Sequence, residues 1–128
     1  MSAAMISCTV RYEIDPDKLS EFEAYARFWM HKIPAMGGTH HGYHMPYEGP
    51  NDIAYCHFSF DSLAEYEAYR ARMWDDPECL RAYAFATQSK CIRRYDRNFT
   101  RPVLEGATAD GAQTTYAYFH RFQTMFSI

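Results

Sequence analysis

An α+β fold, in which a four-stranded antiparallel sheet carries its helices on one face, is predicted by three features of this 128-residue chain. The run Ile6 to Ile14 alternates strictly between apolar and polar residues, as a strand with one wet face does. Two further β-rich runs flank Gly49-Pro50-Asn51-Asp52, a turn sequence that reads as a hairpin. Helical stretches with recognisable caps follow the first strand and the hairpin.

Taken in order, the first strand places Ile6, Cys8, Val10, Tyr12 and Ile14 on one face and Ser7, Thr9, Arg11 and Glu13 on the other. Asp15-Pro16-Asp17 then offers an N-cap, a proline at the first helical position and an early acid suited to the positive end of a helix dipole. Leu19, Phe22, Ala26, Trp29 and Ile33 follow at steps of three or four, which keeps them on one side of that helix. Pro34 and Gly37-Gly38 end it. A second strand over Thr39 to Glu48 and a third over Ile53 to Phe60 form the hairpin. If Glu48 faces Ile53, then Tyr43, Met45 and Tyr47 share a face with Ala54, Cys56, Phe58 and Phe60. The opposite face holds His40, Gly42 and His44 with Tyr55, His57 and Ser59, and His44 becomes a direct cross-strand neighbour of His57.

Ser62-Leu63-Ala64-Glu65 is a capping-box pattern, in which hydroxyl and carboxylate satisfy amide donors that the helix start would otherwise leave open. The helix it opens runs to about Asp75. Asp76-Pro77-Glu78 restarts a helical segment through Leu80, Tyr83, Ala84 and Phe85 toward Lys90, and a fourth strand covers Cys91 to Thr100. The order is β-α-β-β-α-β, the split βαβ arrangement called ferredoxin-like, with the first and third strands in the middle of the sheet. Residues 1–105 form this domain. Residues 106–128 read as a flexible linker, Gly106 to Ala112, and an unassigned aromatic tail, either disordered or docked on a neighbour through Tyr116, Tyr118, Phe119 and Phe122.

Composition narrows the function classes. A mass of 15.0 kDa leaves room for one domain, and 48% hydrophobic with 23% charged residues describes a folded globular chain. Eleven tyrosines and nine phenylalanines exceed the usual needs of one small core, so some are expected to line a cavity or a subunit interface. A net charge of −3 and a pI near 6.0 lack the clustered Lys and Arg that nucleic acid requires. The four cysteines, Cys8, Cys56, Cys79 and Cys91, show no CxxC pair and read as reduced thiols. Met1 to Met5 shows no basic stretch leading into an apolar run, so neither a signal peptide nor a membrane span is expected, and the cytoplasm is the default location.

Three stretches resemble the NIPSNAP family, a branch of the dimeric α/β barrel proteins. They are Tyr12-Glu13-Ile14 leading into Asp15-Pro16-Asp17-Lys18-Leu19 with Phe22, His40-His41-Gly42-Tyr43 through the hairpin, and Phe58 to Phe60 into Asp61-Ser62-Leu63-Ala64-Glu65-Tyr66. The match continues through Arg70-Ala71-Arg72-Met73 to Asp76-Pro77-Glu78 and covers nearly all of Met5 to Leu104. The chain departs from it in having Cys79 where a tryptophan often follows Asp-Pro, and in its tail. The resemblance implies a dimer whose two sheets face one another with the helices outside. It implies no settled reaction, since related barrels include cofactor-independent oxygenases and haem-degrading enzymes.

The residues reach the dimer independently. A face bearing Thr9, Arg11, Glu13, His44, Tyr55, His57 and Ser59 is too mixed for a dry core, yet its rings need not face bulk water, and a second sheet could cover it. Enclosed in that way, Arg11, Glu13, Tyr55, His57, His44 and Arg94 form a candidate site. His57 and His44 are its acid–base candidates, because imidazole titrates near neutral pH. Arg11 or Arg94 could hold an anion through its planar fork. The alternative is a satisfied polar network between subunits.

His40, His41 and His44 suggest a metal, but strand residues four apart are separated by about 3.3 Å per residue and cannot chelate one ion unaided. No metal or other cofactor is called for. Cys79, near a helix start, is a candidate for a lowered pKa or for an inert thiol. Three functions stay open: a small-molecule binding or regulatory protein, a cofactor-independent oxygenase or isomerase using a histidine base, and a structural dimer module without a ligand.

Overall fold

A computed structural model describes residues 5–103. The tail assigned to residues 106–128, with its aromatic strip, lies outside the described residues. The elements are β1 (Ile6–Ile14), a single 3₁₀ turn (Pro16–Lys18), α1 (Leu19–Ala35), β2 (Thr39–His44), β3 (Ile53–Phe60), α2 (Leu63–Met73), α3 (Pro77–Ser89) and β4 (Ile92–Thr100). They form one antiparallel sheet in the order β2-β3-β1-β4. The expected α+β architecture, with β1 and β3 central, is the observed one.

The cap residues bond where the sequence places them, though of the expected capping box only the Ser62 half forms among the described residues. The Asp15 carboxylate accepts from the Asp17 amide at 2.9 Å, though it caps the 3₁₀ turn, and regular helix begins at Leu19. Ser62 Oγ accepts from the Glu65 amide at 3.1 Å. Asp76 Oδ1 accepts from Glu78 at 2.8 Å and from Cys79 at 3.4 Å. Lys32 of α1 reaches the other Asp76 oxygen at 2.8 Å, which ties the start of α3 to α1.

The core lies between the sheet and the helices. Cys8, Val10, Tyr12 and Ile14 are buried from β1, Ala54, Cys56, Phe58 and Phe60 from β3, and Phe22, Tyr25, Ala26, Trp29 and Ile33 from α1. Tyr25 joins the predicted stripe, while Leu19 sits at its exposed end. Rings meet edge-on, as Tyr12 does with Phe22 at 5.0 Å, the arrangement their quadrupoles favour. The α1–β2 turn is equally tight. Gly37 adopts φ +100°, and a Cβ on Gly38 would stand 2.7 Å from Ile33 Cγ2 and 2.8 Å from Phe60 Cζ.

The hairpin differs from its expected register. β2 stops at His44, short of Glu48, because Pro46 has no amide to give to the ladder. Tyr43 pairs with Cys56 and His44 with Tyr55, so the strands are offset by two residues from the predicted alignment. An even offset preserves faces, which keeps Tyr43 toward the core and His44 and His57 away from it. Tyr47, expected on the core face, is exposed. A bulge at His41 then reverses the start of β2, so that His40 opposes Phe58 and leaves the face predicted for it. Two features hold that bulge: Gly42 at φ +115°, and the Gly42 amide donating to His40 Nδ1 at 2.9 Å.

Candidate functional site

The open face of the sheet collects every residue that the sequence nominates. Arg11, Glu13 and Thr9 project from β1, Tyr55 and His57 from β3, His44 from β2 and Arg94 from β4, where it pairs with Glu13. They fall into two groups. Glu13 stands 3.9 Å from Arg11 and 3.8 Å from Arg94, and Arg94 donates to Asp96 at 3.2 Å, a surface ion network. Beside it, His57 Nδ1 shares a hydrogen bond of 3.1 Å with the Thr9 hydroxyl, and the His44 and His57 rings lie edge to face at 5.6 Å. These two histidines are therefore close although their Cα positions are not paired.

His41, which the sequence reading set among possible metal ligands, joins this group by way of the bulge and shares a 2.9 Å hydrogen bond with Ser59. Burial, then His44 and His41, hold the His57 pKa below its usual value, so its ring is neutral at neutral pH. No three His, Cys, Asp or Glu converge to hold a metal ion among the described residues. Cys79 is buried, and loss of solvent raises its pKa, opposite to the lowered value considered for it; the helix dipole is overruled by desolvation.

The helix side of the sheet holds a second site that sequence reasoning missed. Tyr12, Tyr25, Tyr83, Ala86, Tyr95 and Arg97 border a cleft of about 270 Å³ between β1, β4 and the helices α1 and α3. Behind it a cavity of about 30 Å³ shares Tyr12, Tyr25, Tyr83 and Arg97 and reaches Trp29 and Arg70. Such a space suits a water, and the cleft approaches the size of small-molecule sites. Burial raises the pKa of Tyr12, Tyr25 and Tyr43 well above the ordinary phenol, so their hydroxyls stay protonated and able to donate.

Arg97 opposes Val10 in the register and so points to the helix side, between Tyr95 and Phe99 on the same face. Its guanidinium lies 5.3 Å from the Tyr95 ring. Its Nε is buried without a hydrogen-bond partner, and no ion pair engages it among the described residues. The available signal was an arginine two residues from an aromatic on either side in a strand. A larger groove of about 410 Å³ between α1 and α3 is lined by Phe28, Ala82 and Phe85, but its charged residues Glu78 and Arg81 are exposed, so it offers area without orientation.

Comparison with known proteins agrees with the fold. The family model NIPSNAP matches residues 9–104. A NIPSNAP-like domain protein from Burkholderia xenovorans, described as uncharacterized, is similar at 20% identity and a TM-score of 0.66, over 78% of this chain and 86% of that one. A NIPSNAP family protein of unknown function from Agrobacterium tumefaciens aligns at 18% identity and a TM-score of 0.67, over 80% and 95% of the two chains. A second protein of that family from the same organism aligns at 23% identity and a TM-score of 0.63, over 80% and 90%. No curated protein matches the chain.

Proposed function

Because this chain belongs to the NIPSNAP family, we propose that it acts as a homodimer, built by pairing the open sheet faces, that binds a small flat molecule in the cleft between sheet and helices. The observation that carries this reading is the cleft itself, where protonated tyrosines meet Arg97, a half-buried cation with no hydrogen bond or ion pair among the described residues, in a space near the size of a ligand. The open face supports the dimer. Tyr55 stays 41% exposed in the middle of a sheet whose other side is a closed core, and the half-exposed ions beside it would gain from a cover.

In this arrangement Arg11, Glu13, Tyr55, His44, His57 and Arg94 line the interior between the two sheets. A second reading, acid–base chemistry from that interior, is favoured by one observation: the Thr9 hydrogen bond fixes the ring of a neutral His57 that could take a proton, with His44 beside it.

Sedimentation velocity on the full chain, combined with thermal-shift screening of one- and two-ring aromatic compounds, tests the first reading. A dimer is expected, converted to monomer by Tyr55→Lys, which would set a second cation opposite Arg11 at the interface. Binding should vanish in Ala86→Trp, which fills the cleft. A monomeric wild type, or binding indifferent to Ala86→Trp, overturns the proposal. Loss of turnover in His57→Ala with the dimer intact would favour the second reading.

A further inference from the structure

We infer that the ligand of the helix-side cleft is an aromatic monoanion, an arene carboxylate or its sulfonate equivalent, whose charged group seats on Arg97; this rests on the proposal that the cleft is a ligand site. The chain as a whole carries a net charge of −3, so no general field draws anions to it, and attraction must be local. Arg97 supplies it. Its planar fork matches a carboxylate, its Nε already lacks a partner, and the walls beside it are the rings of Tyr12, Tyr83 and Tyr95. A cationic ligand, for which an aromatic lining would otherwise be suited, meets a guanidinium instead.

The charge count is one because the second cation near the cleft is already engaged. Arg70 donates to the Tyr83 hydroxyl at 3.2 Å and to Met73 Sδ at 3.7 Å, and its guanidinium lies 5.4 Å from the Trp74 ring. Among the described residues Arg97 stacks against Tyr95 and makes no hydrogen bond or ion pair, which leaves its N–H edges for an acceptor. The aromatic body follows from the tyrosine walls, and the volume of about 270 Å³ limits it to one or two rings.

Paired calorimetric titrations of the full-length protein test this, using the two-ring anion 2-naphthoate and its neutral counterpart 2-naphthamide. The wild type is expected to prefer the anion by about tenfold to a hundredfold, the range for a hydrogen-bonded charge. Arg97→Gln should bring the two probes to similar affinity, and Arg97→Lys should keep part of the preference. Equal affinities in the wild type overturn the inference without any variant. A preference that survives Arg97→Gln, while Ala86→Trp blocks both probes, overturns the charge assignment and leaves the cleft standing. Binding of both probes undisturbed by Ala86→Trp overturns the cleft reading and this inference with it.

Discussion

Lowering the pH from 7 to 4 should destabilise this fold by about 3 kcal/mol through one side chain, His40. Its Nδ1 accepts the Gly42 amide at 2.9 Å, so the ring proton sits on Nε2, which faces Cys56 Sγ at 3.5 Å. The ring also stacks on Tyr43 with centroids 5.2 Å apart. A second proton would turn the only acceptor into a donor aimed at another donor. Burial first, then the neighbouring His41 and His57, lower its pKa from 6.5 to about 4.

The sign follows from linkage. The unfolded chain takes up the proton near pH 6.5, while the folded chain resists until about 4, so the stabilisation is complete above 6.5 and is lost as the pH falls through that window. The loss is about 2 kcal/mol at pH 5 and about 3 at pH 4. His40→Asn retains an acceptor for the Gly42 amide but does not titrate, and it forfeits the stacking, worth about 1 kcal/mol. Urea unfolding at fixed protein concentration should find the variant weaker at pH 7 and stronger at pH 4, with the curves crossing near pH ~6. Parallel curves over the whole range would refute the assignment of the acid limb to His40.

Gly38→Ala should destabilise by about 1–3 kcal/mol in the same assay, since the new methyl meets Ile33 and Phe60 at under 3 Å; a neutral result would mean the α1–β2 turn is looser than described. Ser62→Ala removes the acceptor for the Glu65 amide and should cost about 1 kcal/mol, recovered in large part by Ser62→Asp. The thiols of Cys8, Cys56, Cys79 and Cys91 are all buried, and burial pushes Cys8 to about 11 and Cys56 to about 12. Ellman's reagent at pH 8 should therefore label the native protein only on the timescale of unfolding and label all four thiols at once in denaturant. Fast labelling of a single thiol would contradict the packing around it.

Strand order was legible in the β-α-β-β-α-β succession, and strand faces because alternation survives wherever one side of a strand is dry. That is why Cys8 through Ile14 and Cys56 through Phe60 fall where periodicity puts them. The hairpin register was not legible. It depends on Pro46 withdrawing an amide from the ladder and on a bulge set by a positive φ at Gly42 and a side-chain acceptor at His40, neither of which alters the hydrophobic pattern. The same device exchanged His40 for His41 on the open face. Arg97 was overlooked for a related reason, since a charge in an edge strand reads as solvent-facing until its pairing with Val10 shows which side it occupies. Arg94, three residues earlier in the same strand, did lie on the face expected of it.

The bulge has a meaning for the molecule's company as well as for its own register. β2 and β4 border the sheet, and each borders it imperfectly: β2 is short and broken at His41, and β4 slips against β1 between Glu13 and Ile14 and carries Arg93, Arg94 and Arg97. Straight, uncharged borders would be templates on which strands of other molecules add edge to edge. Here the interruptions and the positive charge spoil that template at both sides. Growth into ribbons is discouraged, while the broad open face is untouched by either interruption.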